Sequence, residues 1–307
     1  MKHRIKDPGV GDSSSPIAKR IIDTDGAFNV EHVNRKTSFS EAYNFLLRIS
    51  WMQFYSLSFL AYLVLNTLFA FGYLICGIEQ LADPSGDYSN GFFQAFFFSS
   101  QTFTTLGYGA MAPHGIASAL LSSVEAFVGL LFFAFVTGLL YGRFSKPKPS
   151  MRFSKHLILR DYNDGKALMF RIVANKKSVM IKPKVTMTLS LSLPDDLSKY
   201  VNNFYTLKLE RDAITILPVT WTIVHEIEKD GPFFQFKDQE LIKQHGEILI
   251  MVSYYDESFN SEIHQMYSYL LKDIQLNYKF VKAYDYNDKG IMAMDYDLFD
   301  VIEPYES

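Results

Sequence analysis

Five consecutive residues, Thr105-Leu106-Gly107-Tyr108-Gly109, carry the most specific chemistry of this chain. Glycine at alternate positions permits φ > 0 without a Cβ penalty, which a strand lined with carbonyl oxygens needs. Rings of such oxygens replace the hydration shell of a potassium ion, and the Thr105 hydroxyl can add the innermost ligand. The run matches the general potassium-filter pattern Thr-Val-Gly-Tyr-Gly with Leu106 in place of Val, so K+ is expected at Thr105, Leu106, Gly107 and Tyr108. Gly-Tyr-Gly alone would read as a tight turn, and the surrounding elements must decide.

Immediately upstream, residues 92–100 are apolar but too short for a bilayer, which takes about 20 residues; they read as a re-entrant helix. Its C-terminal end, carrying roughly half a negative charge, points at the filter and favours a cation there. Apolar stretches at 54–77 and 116–142 flank the loop, each long enough to span about 30 Å as a helix. The order is helix, pore loop, helix.

No Lys or Arg occurs between Arg48 and Arg143, whereas Arg35, Lys36 and Arg48 precede the first span and Arg143, Lys146, Lys148, Arg152 and Lys155 follow the second. The positive-inside rule then places both termini in the cytoplasm, with the protein in the cell inner (plasma) membrane. Glu79, Asp83 and Asp87 on the outer loop either concentrate cations or solvate a turret. The N-terminus has no apolar leader run, so no cleaved signal peptide is expected.

Residues 34–50 place Phe39, Tyr43, Leu46 and Leu47 at helical spacing directly before a span, and Trp51 follows at headgroup level. The pattern predicts an amphipathic interfacial helix; a helix packed on a soluble domain would show the same spacing. After Pro147 and Pro149 the composition changes to alternation, clearest at 185–193. Further strand-like runs fall at 157–159, 168–173, 215–224, 247–255, 278–284 and 290–294, separated by Gly, Pro, Asn and Asp turns. An antiparallel β-sandwich is the expected class, with one helix-like segment at 260–271. The expected organisation is an N-terminal cytoplasmic segment at 1–33, the interfacial helix at 34–50, a pore domain at 51–147 and a cytoplasmic β-sandwich at 148–307.

Composition agrees. The 307 residues include 27 Phe, and aromatics make up 16%, while a mean hydropathy of +0.01 averages an apolar half with a polar one. The single Cys76 excludes an intrachain disulfide framework. No nucleophile–base pair, metal-ligand spacing or phosphate loop is present, so neither an enzyme nor an organic cofactor is indicated. Nor is there a basic tract with interleaved aromatics that nucleic acid would require.

Nearly the whole chain resembles the prokaryotic inward-rectifier potassium channels. The resemblance is carried by the surface helix ending at Trp51, Phe96-Phe97-Phe98-Ser99, the filter, Val128-Gly129, Arg143-Phe144-Ser145-Lys146-Pro147 and Trp221-Thr222-Ile223-Val224-His225. It implies a homotetramer with an immunoglobulin-like cytoplasmic assembly. Symmetry asks for the same, since one strand supplies one quarter of each oxygen ring.

The resemblance also implies roles. Tyr141 falls at the bundle-crossing position and is assigned as a hydrophobic gate, with a lipid-facing interfacial anchor as the alternative. Gly129 and Gly138 are candidate hinges or close-packing positions. Phe133 stands where strongly rectifying relatives place an acid that holds Mg²⁺ or polyamines, which implies weak rectification. Glu125, the one charged residue within 54–77 or 116–142, is implied to brace the filter from behind; direct ion binding is the sharper alternative. Arg35, Lys36, Arg48, Arg143, Lys146 and Lys148 would bind anionic lipid, or serve topology alone. His225 and His264 are either hydrogen-bonded structure or pH sensors. A rival class is a membrane-tethered sandwich that binds a partner; it would tolerate Gly107→Asp, which a channel would not.

Overall fold

The computed structural model describes residues 4–15, 19–23, 26–34, 39–82, 90–147, 149–175, 180–194 and 200–305. Arg35, Lys36, Asp83, Asp87 and Lys148 lie outside them. The chain forms two compact units, residues 34–146 and residues 1–33 together with 147–307.

Two short strands open the described chain, β1 (Arg4–Ile5) and β2 (Ser13–Ser14). The unit of residues 34–146 then supplies α1 (Phe39–Arg48), α2 (Trp51–Cys76), β3 (Leu81–Ala82), α3 (Gly91–Phe103), β4 (Ala112–Pro113) and α4 (Ile116–Ser145). At 1.5 Å per residue, both α2 and α4 exceed about 30 Å of hydrocarbon, and both are apolar enough to cross it. Ser50 starts α2 as a capping box: its hydroxyl accepts from Gln53 N at 3.2 Å, and its own N–H donates to Gln53 Oε1 at 3.0 Å. Gly77, at φ +99°, ends α2 in a conformation other residues rarely adopt. Asn90 caps α3 by accepting from Phe92 N at 2.9 Å. β3 and β4 pair across the loop, so α3 is held between two spanning helices.

The other unit is a sandwich of β5 (Met151–Phe153), β6 (Leu157–Tyr162), β7 (Gly165–Ala174), β8 (Met180–Pro194), β9 (Tyr200–Leu207), β10 (Trp221–Glu226), β11 (Gly246–Asp256), β12 (Ser261–Leu270) and β13 (Ile274–Leu276). One sheet runs β1-β9-β8-β11-β12 with β2 also on β9; the other runs β10-β7-β6-β13 with β5 on β7. All these pairs are antiparallel except β13 with β6. Alternate residues of both sheets, among them Phe170, Ile172, Met187, Leu189, Ile248 and Ile250, meet in one buried core, as two-residue periodicity requires. A four-residue helix, α5 (Asp238–Leu241), and the short strands β14 (Tyr278–Phe280), β15 (Tyr284–Tyr286), β16 (Met292–Met294) and β17 (Ile302–Pro304) complete it.

The helix expected at 260–271 is instead β12, paired with β11 from Asp256↔Ser261 to Glu247↔Leu270. Its outer face is covered by the N-terminal segment: Ser268 is fully buried and donates to the Ile22 carbonyl at 2.8 Å. Where both faces are covered, around Ser268, the strand loses the alternation that marks it in sequence, although Glu262 and His264 near its start stay exposed. The strand expected at 215–224 begins only at Trp221. Pro218 cannot donate to a ladder, and residues 215–220 make only an isolated bridge, Ile181↔Ile216.

Candidate functional site

The chain leaves α3 through a turn that sets the filter backbone. Thr105 N donates to Thr102 O at 3.0 Å, and Leu106 N and Gly107 N both donate to Gln101 O, at 2.9 and 3.3 Å. Thr105, Gly107 and Gly109 lie at φ +58°, +51° and +83°, alternating with Leu106 and Tyr108 outside that region. A β-branched Thr at positive φ is an outlier that its surroundings must impose. Among the described residues, no hydrogen bond is accepted by the carbonyls of residues 105–109. The donors of Thr105, Leu106 and Gly107 are tied back to α3 while the carbonyls of 105–109 are left open, which is what a cation site made of backbone needs. A Cβ at Gly107 or Gly109 would meet nothing within 4 Å in this chain, so conformation rather than space calls for glycine. Leu106 and Tyr108 are exposed on the single chain.

A polar network lies between the apolar helices α2, α3 and α4. Glu125 on α4 is fully buried. Tyr73 on α2 donates to Glu125 Oε2 at 2.6 Å, and Ser99 on α3 donates to Glu125 Oε1. Ser99 Oγ also lies 3.1 Å from Asn66 Oδ1, and Asn66 Nδ2 donates to Tyr62 O at 2.7 Å. One step further, the Tyr62 and Ser100 hydroxyls are 2.5 Å apart. The acid thus ties both spanning helices to the pore helix. Sequence reasoning singled out Glu125 and missed Tyr62, Asn66, Tyr73, Ser99 and Ser100. The spacing of Tyr62, Asn66 and Tyr73, four then seven residues on one helical face, is the signal that was available.

Along α4, Gly129 backs directly onto the end of α3: a Cβ there would stand 2.1 Å from the Phe103 carbonyl oxygen. Close packing alone therefore accounts for glycine at 129. Gly138 has nothing within 4 Å of a built Cβ. Phe133 is half exposed and touches the fully buried Phe103 ring, with centroids 6.4 Å apart. Tyr141 is 74% exposed, with its side chain turned away from the rest of its own chain.

Of the basic residues, Arg48 and Lys146 are exposed. Arg143 is not: at 8% exposure it is spent on protein carbonyls, unlike the headgroup ligand expected from sequence. Burial of an unpaired guanidinium is costly unless its protons are used; here Nη1 and Nη2 donate to carbonyls and two aromatic rings face the charge, while Nε has no hydrogen-bond partner among the described residues. Glu79 and His264 are exposed, while His225 is buried with Nδ1 2.7 Å from the Lys208 carbonyl.

Two spanning helices around a carbonyl-lined re-entrant loop, followed by a β-sandwich, define a two-span potassium channel. Residues 151–306 match the inward rectifier potassium channel C-terminal domain, and residues 53–146 match a general ion channel family. The chain belongs to the inward rectifier potassium channel family, and it is an ion channel rather than an enzyme. It is similar to the inward rectifier potassium channel Kirbac3.1 of Paramagnetospirillum magnetotacticum, with 30% identity over 279 residues, covering 90% of this chain and 93% of that protein. The G protein-activated inward rectifier potassium channel 2 of Mus musculus is 28% identical, covering 94% of this chain and 72% of its own. Channel 4 of the same name in Homo sapiens is 25% identical, covering 92% and 72%.

Proposed function

We propose that potassium sheds its water onto the carbonyls of residues 105–108 of a homotetramer and passes by knock-on into a cavity lined by α4. The observation that carries this reading is the alternating positive φ at Thr105, Gly107 and Gly109, with the carbonyls left unbonded. The Tyr73–Glu125–Ser99 network braces the loop, fixing ring radius through the helices on either side. Direct ion binding by Glu125 is disfavoured by its complete burial behind the pore helix.

Tyr141 closes the path as an apolar ring, its exposure on the single chain fitting a residue that meets its symmetry mates. Phe133 leaves the cavity without the acid that would hold Mg²⁺ or polyamines, so rectification is weak. The protein sits in the plasma (inner) membrane with both termini cytoplasmic, as the basic flanks indicate. Anionic lipid biases the gate through exposed Arg48 and Lys146, together with Arg35, Lys36 and Lys148. Single-channel recording of Tyr141→Ala in planar bilayers tests the gate: a raised open probability at unchanged unit conductance is expected, and an unchanged open probability would move the gate elsewhere.

A further inference from the structure

β9 is the last long strand of the six-stranded sheet, and Tyr200 to Leu207 include no charge, no proline and no glycine. Its neighbour β8 is equally uncharged from Val185 to Leu193. Strands of this composition, left open along an edge, pair with copies of themselves. Here the first residues of the chain occupy that edge: Arg4 and Ile5 pair with Tyr205 and Phe204, and Ser13 and Ser14 with Val201 and Tyr200. Between these contacts residues 6–12 leave the sheet, opposite only Asn202 and Asn203 of β9. The excursion is held at both ends. The Asp7 carboxylate accepts from Gly9 N at 2.9 Å, Val10 N at 2.8 Å and Gly11 N at 3.0 Å, with Gly9 and Gly11 at φ +104° and +97°. Asn202 donates its backbone N–H to the Asp12 carbonyl at 2.8 Å and its Nδ2 to the Gly11 carbonyl at 3.3 Å, and the Ser14 and Ser192 hydroxyls are 2.9 Å apart.

The covering segment is unlike the strand it covers. Arg4, Lys6, Asp7, Pro8 and Asp12 stand exposed along it, and its break at residues 6–12 leaves no continuous ladder for a further strand. Charge, proline and a bulge are the features that stop pairing at a sheet edge. We propose that residues 4–14 terminate the sheet over a self-complementary docking edge, and that with this segment displaced β9 takes the β9 of a second copy, joining one tetramer to another. A two-fold antiparallel pair satisfies both edges at once, because the same surface serves on each side.

The test compares the full-length tetramer in detergent with a deletion of residues 2–15, by light scattering after size exclusion and by amide exchange. The deletion is expected to at least double the protein mass per particle at concentrations where the full-length protein stays tetrameric. Exchange across residues 200–206 should stay slow, because a second β9 replaces the lost partners. Thr206 is exposed on β9 and supplies the control. Adding Thr206→Lys to the deletion sets like charges against each other across the pair, and should return the tetramer and speed exchange at residues 200–206. A full-length chain with Ile5→Pro and Ser14→Pro lacks two N–H groups of the covering strands and should associate as the deletion does; it decides the question if the deletion does not fold. A folded variant of either kind that stays tetrameric overturns the proposal, as does association that Thr206→Lys leaves intact. Neither readout needs conduction, so both stand apart from the channel reading.

Discussion

Gly129 on α4 and Phe103 at the end of α3 touch through backbone alone, with no room for a Cβ between them. The contact lies two residues before the filter, so α4 passes directly behind the point where the chain turns toward the ion. Gly129→Ala must push the two apart, and overpacking of this kind costs about 1–3 kcal/mol. A lower temperature of tetramer dissociation and weaker discrimination of rubidium from sodium are expected. Gly138→Ala has space and should change neither. The reverse pattern would make Gly138 the constrained position and the packing account wrong.

Tyr73→Phe removes the donor to Glu125 Oε2 without changing shape. An unsatisfied buried acceptor costs about 1–3 kcal/mol, which falls here on the Tyr73–Glu125–Ser99 network proposed to brace the filter. Sodium competition in rubidium uptake should increase, with expression and tetramer assembly retained. Glu125→Gln, which keeps an acceptor for Tyr73, should be milder than Glu125→Ala. Equal selectivity in all three variants would detach the network from the filter.

Phe133 is half exposed on α4, and with its ring facing the pore, as proposed, no acid stands at that level. Phe133→Glu would place one carboxylate per subunit there and should convert a near-linear current–voltage relation into steep inward rectification with spermine on the cytoplasmic side. The unmodified protein rectifying steeply under the same conditions would contradict the assignment.

Glu247 on β11 accepts from Ile21 N at 2.6 Å and Ile22 N at 3.2 Å, holding a hairpin of the N-terminal segment on the sandwich. Gly26, at φ +84°, is required where that hairpin crosses the Met266 carbonyl, since a Cβ would lie 2.7 Å from it. Losing hydrogen bonds to a charged acceptor is worth about 1.5–3 kcal/mol, so Glu247→Ala should speed amide exchange at Ile21 and Ile22 by about tenfold or more. Unchanged exchange there would show that Arg20, bonded to Ser268 at 2.9 Å, suffices alone.

The two long apolar helices and the short helix between them are legible in sequence because a bilayer fixes the length of a spanning helix and leaves the shorter apolar run too short to cross. The brace is not: Asn66, Ser99 and Ser100 are small polar residues within apolar runs, and their pairing depends on how three helices rotate against one another. β12 reads as helix-like because the N-terminal hairpin buries its second face around Ser268. β1 and β2, two residues each, exist through pairing with β9 and have no pattern of their own. Arg143 illustrates a different limit. Its charge and position match a headgroup ligand, and only the carbonyls of Leu46 and Ile49 reveal where that charge is used.

Uptake of radioactive rubidium into potassium-loaded liposomes containing the purified tetramer, with sodium as competitor and barium as blocker, tests the central claim most directly. Barium-sensitive uptake that is indifferent to sodium, and that is abolished by Gly107→Asp, is the predicted result. Uptake that sodium competes away, or that survives Gly107→Asp, would contradict a potassium filter built on the carbonyls of residues 105–108.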